Sequence, residues 1–358
     1  MSPVRSIVRS ILVYVTSGED NAMGENMFKL PMILVLAEAF PEARITWVPG
    51  VGGPFFLQKQ LAPLVDGRIH EFIADLDIPS DPWGALTYRH PILKRRFDLV
   101  IDTQRLVGPT LFLKRIRHGR FVSDNWRYFF SERKPPDGMS RRPKALVDKL
   151  LTLASTAAGR RLEPPAALPV PAAFQAEADR LLPPGPVYVG LAPGVGNMTQ
   201  GRDWPLDRFL AVAAAQAARG RTPVILLGPH EGAWRAQAAE AVPAALIPDL
   251  SGQDGGLGGP ALTVALAGRL SAALANDAGA GHLLAGGGAP MVSLFGWSKP
   301  AKRAPFARSL TVLRAQDFGS EAITAIPIEA VLEALESQIA VGPLRAGPTT
   351  SASAAGSA

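Results

Sequence analysis

Short continuous apolar runs alternate with stretches of helical periodicity along the first half of the chain. The apolar runs with the length of buried parallel strands are 11–15, 44–48, 69–73 and 97–102. The stretches with helical character are 27–40, 55–64, 82–96 and 144–158. This strand–helix alternation predicts a parallel sheet covered by helices.

The same alternation starts again after residue 186. Its predicted strands are 187–192, 222–228, 245–247, 271–274, 290–296 and 310–313, and its predicted helices are 206–219, 232–241, 261–269 and 328–339. The intervening segment, 164–186, contains seven prolines and one short helical piece at 174–182, which is typical of a domain boundary.

The pattern therefore predicts an α/β protein of two Rossmann-like domains that face each other across a cleft. We expect the first domain at 1–165 and the second at 166–341, followed by a disordered Gly/Ala/Ser/Thr tail at 342–358. The length of 358 residues agrees with two domains of ordinary size.

Composition narrows the class of protein. The chain has no cysteine, which excludes disulfides, thiol catalysis and cysteine zinc sites. Because no run approaches 18 apolar residues and the N-terminus lacks a cleavage signal, we expect a soluble cytoplasmic protein. The net charge of +6 favours an anionic partner.

Basic residues are concentrated in the segment 114–144, where Trp126, Tyr128, Phe129 and Phe130 lie among them. Such interleaving could bind single-stranded nucleic acid. No ribonucleoprotein, KH or helix-turn-helix pattern accompanies the segment, so we predict no nucleic-acid partner. An acidic acceptor, or the anionic inner face of the cytoplasmic membrane contacted peripherally, fits the charge better.

The glycine-bearing turn at 275–282 is the strongest candidate for chemistry, because it lies between a predicted strand and a predicted short helix. A helix N-terminus at the carboxyl end of a parallel strand offers N–H groups to an anion, which favours a phosphate site. An ordinary N-cap with turn glycines is the alternative interpretation of these residues alone.

Six motifs, taken in order, resemble glycosyltransferase family 9, the heptosyltransferases, over nearly the whole chain to about residue 339. They are Pro193-Gly194, Arg202-Asp203-Trp204-Pro205, Leu226-Leu227-Gly228, Leu250-Ser251-Gly252, Asn276-Asp277-Ala278-Gly279-Ala280-Gly281-His282 and Leu294-Phe295-Gly296-Trp297-Ser298-Lys299-Pro300. In the family these are similar to P-G, K-x-W-P, L-L-G, L-S-G, N-D-(T/S)-G-x-x-H and L-F-G-x-(T/S)-x-P. Each motif is weak alone, but six in order are specific.

The resemblance implies a GT-B fold and an inverting, metal-independent glycosyltransferase. Its donor would be a nucleotide-sugar, usually ADP-heptose, held mainly by the C-terminal domain. Its acceptor would be a lipopolysaccharide core or similar cell-envelope glycan on the N-terminal domain. No cofactor and no metal are implied.

The family's catalytic base is an acid in an L-G-D motif before a helix that carries L-P. Met23-Gly24-Glu25 and Leu30-Pro31 align with that motif, which places Glu25 at the base position. Glu19 and Asp20, in the preceding loop, are rival candidates. A plain helix-start acid is the alternative role for Glu25.

Arg202 stands where the family places a lysine that contacts the donor diphosphate, although a solvated loop cation is the alternative. The resemblance implies a donor-binding set of Gly194, Asn197, Glu231, Asp277, Ala278, Gly279, Gly281 and His282. Ala278 replaces a Thr or Ser whose hydroxyl can bind phosphate, and His282 could instead be a buried structural histidine.

A catalytically inactive nucleotide-binding or assembly protein is the competing function, because both Glu25 and Ala278 depart from the family pattern. Asp75-Leu76-Asp77 is formally the metal motif of the other large glycosyltransferase fold, but that fold leaves the second α/β array unexplained. An NAD-linked oxidoreductase is disfavoured because the first strand–turn–helix lacks G-x-G-x-x-G.

Overall fold

A computed structural model of the chain describes residues 7–15, 23–49, 55–196, 201, 203–252 and 257–343. Two five-stranded sheets form its framework, and every strand pair in them is parallel. The sheets fall on either side of the proline-rich segment. The exact boundary at 165/166 remains a prediction.

The first sheet has the strand order β3-β2-β1-β4-β5. Its strands are β1 (Ser10–Tyr14), β2 (Arg44–Val48), β3 (Glu71–Phe72), β4 (Arg96–Asp102) and β5 (Arg117–Ser123). Its helices are α1 (Met23–Met27), α2 (Leu30–Ala39), α3 (Phe55–Gln58), α4 (Ala62–Val65), α5 (Pro82–Thr87), α6 (Val107–Lys114) and α7 (Leu146–Ala158). A central strand such as β1 is buried on both faces, which is why it is apolar at successive positions.

The second sheet has the order β10-β9-β8-β6-β7. Its strands are β6 (Tyr188–Ala192), β7 (Thr222–Ile225), β8 (Ala272–Asn276), β9 (Met291–Phe295) and β10 (Leu310–Arg314). The helices of this half are α8 (Ala172–Leu181), α9 (Leu206–Ala218), α10 (Trp234–Ala241), α11 (Gly259–Ala267), α12 (Gly279–Gly286), α13 (Pro300–Arg303) and α14 (Ile328–Val341).

Helix α11 joins the two halves. Ala261 and Val264 pack into the core beneath the first sheet, whereas Leu262 and Leu266 pack into a core of the second. A helix that is apolar all round is one that is buried on every side, and all residues from Ala261 to Ala267 are buried. The halves therefore share a packed apolar contact.

The predicted helices 55–64 and 82–96 are each broken into two pieces, and the helix predicted at 27–40 begins at Leu30 after the separate short helix α1. In all three cases the later helix has a proline in its first turn. Pro31 lies in the first turn of α2, Pro63 in that of α4, and Pro91 in that of the 3₁₀ helix Pro91–Lys94. Proline has no N–H to donate, which is tolerated in the first turn of a helix, where that N–H has no intrahelical partner, but would interrupt the hydrogen bonds of one continuous helix.

The basic segment 114–144 is not irregular throughout, because it contains β5. The first four residues of β5, Arg117 to Arg120, are exposed or half-buried at the edge of the sheet. The last three, Phe121, Val122 and Ser123, are buried. The predicted strand at 245–247 is reduced to one bridge between Val224 and Leu246. None of the helices among the described residues is long and apolar enough to cross a membrane.

Candidate active site

Each sheet has one topological switch point, where chain connections leave in opposite directions and open a crevice at the carboxyl ends of the strands. In the first sheet it lies between β1 and β4, and in the second between β6 and β8. Glu25 lies in α1, the first described element after β1, and Asp277 directly follows β8. Both sequence-predicted residues are therefore at switch points.

Asn276, the last residue of β8, holds three loops together below the donor turn. Its Oδ1 accepts a hydrogen bond from the Trp204 backbone N–H (3.1 Å), and its Nδ2 donates to the Pro193 carbonyl (2.8 Å). The next residue, Asp277, accepts a hydrogen bond from Ser298 Oγ (2.6 Å). Four of the six motifs are thus physically connected at one edge of the sheet.

Helix α12 begins in this turn without a side-chain cap. Ala278 occupies the N-cap position with extended backbone (φ −149°, ψ 171°), and its methyl group cannot accept a hydrogen bond from the first-turn N–H groups. The Gly281 N–H bonds back to the Ala278 carbonyl (3.1 Å). The start of α12 therefore presents positive dipole to the cleft without a hydrogen bond from its N-cap side chain.

Helices α1 and α12 pack directly on each other, and two glycines allow the approach. A methyl group at Gly24 would lie 2.7 Å from Cδ2 of His282, and one at Gly279 would lie 3.3 Å from Cβ of Met23. The Phe28 and His282 rings make an edge-to-face contact with centroids 4.6 Å apart. This contact places Glu25 beside the donor turn of the other half.

His282 is 9% exposed. Burial lowers the pKa of its imidazole to about 4, so the ring is neutral at physiological pH. A neutral imidazole can donate one hydrogen bond to a ligand but supplies no positive charge. The geometry combines the two roles considered from sequence, since His282 packs on α1 and also lines the cleft.

Glu25 has one buried carboxylate oxygen, Oε2, for which the described residues provide no hydrogen-bond partner. Lys29, 3% exposed, lies one turn further along the chain and donates from Nζ to Asn26 Oδ1 (3.1 Å). Burial lowers the pKa of Lys29 to about 8, and the charge of Glu25 opposes that shift. An unsatisfied buried carboxylate oxygen is suited to accept a proton from a bound hydroxyl.

Glu231 lies over two glycines at the carboxyl ends of β6 and β7. A methyl group at Gly194 would lie 2.5 Å from Glu231 Oε1, and one at Gly228 would lie 2.5 Å from its Oε2. The side chain is only 4% exposed. Strand order places Glu231 over the ends of β6 and β7, at the same edge of the sheet as the turn after β8.

A cleft of about 460 Å³ lies between the two halves. The first half contributes Gly24, Glu25, Phe28, Arg105, Pro143, Lys144, Ala145, Leu146 and Lys149 to its lining. The second half contributes Asp277, Ala278, Gly279, His282, Lys302 and Arg303. Five cationic side chains therefore surround one acidic residue from the first half and one from the second. Such a cleft is suited to an anionic ligand on each side.

Two of these cations are fixed by one buried carboxylate. Asp124, whose side chain is fully buried, accepts a hydrogen bond from Arg105 Nε (2.7 Å) and lies 3.8 Å from Lys149 Nζ. Lys149 also donates to the Thr103 carbonyl. The arrangement holds both cations at the β1/β4 switch point.

A second buried acid, Asp102, stabilises the same edge of the first sheet. It accepts hydrogen bonds from Thr110 Oγ1 (2.6 Å), Ser123 Oγ (2.9 Å) and the Gln104 N–H (2.8 Å). Burial nevertheless raises the pKa of Asp102 to about 6. This network ties β4, α6 and β5 together behind Arg105.

The structure brings together five of the sequence-predicted residues, since Glu25, Asp277, Ala278, Gly279 and His282 line one cleft. Gly281 is buried beneath them against Ala275, and Gly194 and Glu231 lie further along the same edge. Arg202, Asn197, Glu19 and Asp20 lie outside the described residues.

Sequence reasoning did not single out Arg105, Lys149, Lys302 or Arg303. The last two follow the final family motif closely, in α13, so a basic pair at the end of the short helix that begins at Pro300 was the available signal. Arg105 and Lys149 come from separate elements, and nothing local in the sequence marks them.

Residues 86–324 match the family described as Glycosyltransferase family 9 (heptosyltransferase). No curated protein matches the chain in a sequence search. A solved family 9 glycosyl transferase from Veillonella parvula DSM 2008 is 18% identical with a TM-score of 0.63, over 93% of this chain and 98% of that one.

E. coli ADP-heptose lps heptosyltransferase II is 17% identical, with a TM-score of 0.59 over 93% of this chain and 99% of that chain. E. coli heptosyltransferase WaaC with ADP-2-deoxy-2-fluoro heptose is 19% identical, with a TM-score of 0.59 over 92% and 99%. The predicted arrangement of two Rossmann-like α/β domains is confirmed by this likeness and by the two sheets.

Proposed function

The chain belongs to glycosyltransferase family 9, and from that premise we propose that it moves a heptose from ADP-heptose to a lipopolysaccharide core or similar cell-envelope glycan. The chain is a glycosyltransferase of GT-B type. The single observation that carries the finer proposal is the shared cleft, where Glu25 of one half and the uncapped α12 N-terminus of the other line the same space.

The donor would lie along the carboxyl edge of the second sheet. Its ribose hydroxyls would donate hydrogen bonds to Glu231, and its diphosphate would accept hydrogen bonds from the N–H groups at the start of α12. Lys302 and Arg303 line the cleft beside this helix and would neutralise charge on the departing diphosphate, together with Arg202. His282, being neutral, would contribute a hydrogen bond to phosphate or sugar.

The transfer step would be a single displacement with inversion at the anomeric carbon. An acceptor hydroxyl oxygen attacks that carbon, its proton passes to the Glu25 carboxylate, and the bond to the diphosphate oxygen breaks with its electron pair remaining on the nucleotide. The unpartnered Oε2 of Glu25 supports its role as the proton acceptor. No metal or cofactor takes part in the proposed step.

The acceptor would enter from the first half. Arg105 and Lys149, held by Asp124, together with Lys144, give this side of the cleft a positive charge beside Glu25. This supports an anionic glycan or glycolipid acceptor. If that acceptor is membrane-anchored, the enzyme would work in the cytoplasm, in peripheral contact with the inner face of the membrane.

Replacing Glu25 by Gln tests the assignment, because the amide keeps the shape but cannot take a proton. We expect E25Q to bind ADP-heptose and ADP as wild type does, with transfer to a lipopolysaccharide-core acceptor reduced by about 10²- to 10⁴-fold. Binding is measured by calorimetry and transfer by mass spectrometry of the acceptor.

Asp207→Asn, an acid in the first turn of α9 away from the cleft lining, is the control and should transfer at the wild-type rate. Equal transfer by wild type and E25Q would remove Glu25 from the mechanism. Nucleotide binding without transfer by the wild-type protein would instead support the competing function, an inactive nucleotide-binding or assembly protein.

A further inference from the structure

A turn of unusual backbone follows β5. Trp126, Arg127 and Tyr128 all have left-handed φ angles, of 43°, 57° and 66°, although none of them is glycine. A left-handed conformation at a residue with a side chain is strained and persists only where the surroundings enforce it. We call residues 126–130 the aromatic turn.

The surroundings do enforce it. The Tyr128 side chain is fully buried in the core beneath the first sheet, so it anchors the middle of the turn. Lys134 donates from Nζ to the Tyr128 carbonyl, and Lys114 donates from Nζ to the Phe130 carbonyl (3.1 Å). The two lysines thus bond carbonyls that no helix or sheet ladder pairs.

The result of this conformation is the exposure of two large aromatic rings. Trp126 is 64% exposed and Phe129 is 68% exposed, on either side of the buried Tyr128. Both rings contact Phe130, at centroid distances of 5.6 Å and 5.2 Å. The rings therefore form a small fixed cluster that stands in water, which costs hydrophobic free energy unless something covers it.

The segment 114–144, which carries the turn, has an excess of exposed positive charge. Its exposed cations are Arg117, Arg127, Lys134, Arg141, Arg142 and Lys144, against the exposed acids Glu132 and Asp137. Lys144 also lines the cleft, and Asp124, two residues before Trp126, holds Arg105 in the cleft wall. The aromatic turn is thus connected to the acceptor side of the candidate active site.

We propose that the aromatic turn docks the enzyme on an anionic lipid bilayer, with Trp126 and Phe129 in the membrane interface and the exposed cations of the same segment on the lipid headgroups. Amphipathic aromatic rings concentrate at that depth, and clustered Lys and Arg bind anionic leaflets. Charge complementarity favours this occupant over an uncharged surface. The inference rests on the proposed function, because a lipid-anchored acceptor must reach the cleft from the bilayer.

The test is binding of the full-length chain to vesicles of phosphatidylcholine with or without phosphatidylglycerol. We expect the wild-type chain to bind only the vesicles that contain phosphatidylglycerol. The double variant Trp126→Ser/Phe129→Ser should bind them at least about tenfold more weakly. Phe318→Ser removes an exposed ring, 38% exposed, from the second half and should bind as wild type. ADP affinity, measured on the same samples, should be unchanged in both variants and reports intact folding.

Tryptophan quenching by lipids with brominated acyl chains locates the surface. Wild-type fluorescence should be quenched, whereas Trp126→Phe should bind the vesicles with most of that quenching lost. Binding that is indifferent to phosphatidylglycerol, unaffected by the double variant, or accompanied by undiminished quenching in Trp126→Phe would each overturn the proposal. Vesicle binding by a protein that binds no ADP-sugar would leave the docking surface standing and remove the proposed function.

Discussion

At the scale of single residues, His282 couples the candidate site to acid stability. Its pKa falls from 6.5 to about 4 on folding because the ring is buried, so between these pH values the unfolded chain binds the proton and the folded protein does not. The contribution of His282 to the free energy of unfolding therefore increases as the pH rises from 4 to 6.5. We expect His282→Gln to lose that increase, which is about 3 kcal/mol.

The measurement is urea unfolding of wild type and His282→Gln at several pH values, with the difference between them plotted against pH. Asp102, whose pKa is raised to about 6, contributes a slope of opposite sign between pH 3.8 and 6, and the difference removes it. A packing loss alone would shift the difference by a constant. A difference that does not vary between pH 4 and 6.5 would show that His282 is not buried as a neutral ring.

At the scale of elements, the start of α12 is the informative feature. Ala278 is a poor N-cap, and Ser or Thr at that position is worth about 1 kcal/mol through a hydrogen bond to a first-turn N–H. We expect Ala278→Ser to raise the free energy of unfolding by that amount and to tighten ADP binding several-fold, since the hydroxyl can also donate to phosphate. Denaturant unfolding and calorimetry measure the two effects.

Ala322→Ser, at the extended N-cap of the 3₁₀ helix Ile323–Ala325, is the matched control, because it can cap a helix of the same half without adding a hydroxyl to the cleft lining. It should stabilise without tightening ADP binding. Unchanged ADP affinity in Ala278→Ser would mean that the diphosphate does not lie at the start of α12.

The same elements show what local sequence can and cannot predict. Strands such as β2 and β8 were predicted because a strand buried on both faces is mostly apolar along its length. The donor turn was predicted because glycines at the start of a helix are typical of a phosphate site. Strand β5 was missed because it begins among cations at a sheet edge. The cleft cations Arg105 and Lys149 were missed because folding, not sequence proximity, brings them together on Asp124.

At the scale of the whole molecule, the relative position of the two halves depends on the contact of α1 with α12. Adding a methyl group at Gly24 would place it 2.7 Å from the His282 ring, so Gly24→Ala must displace α1, and Glu25 with it, from the donor turn. Displacement on the order of 1 Å can cost about 10²-fold in rate. We expect that loss in transfer with a smaller loss of ADP affinity, because Glu231 and the N–H groups at the start of α12 belong to the second half and His282 is the proposed donor contact that the added methyl group meets.

Gly268→Ala is the control, since a methyl group there would have its nearest contact at an ordinary 3.4 Å and the backbone is helical (φ −62°). It should leave both quantities unchanged. If Gly24→Ala weakened ADP binding as much as transfer, the first half would have to take part in holding the donor. A selective loss of transfer would support a site in which the first half holds the acceptor and the base, the second half holds the donor, and the contact of α1 with α12 aligns them.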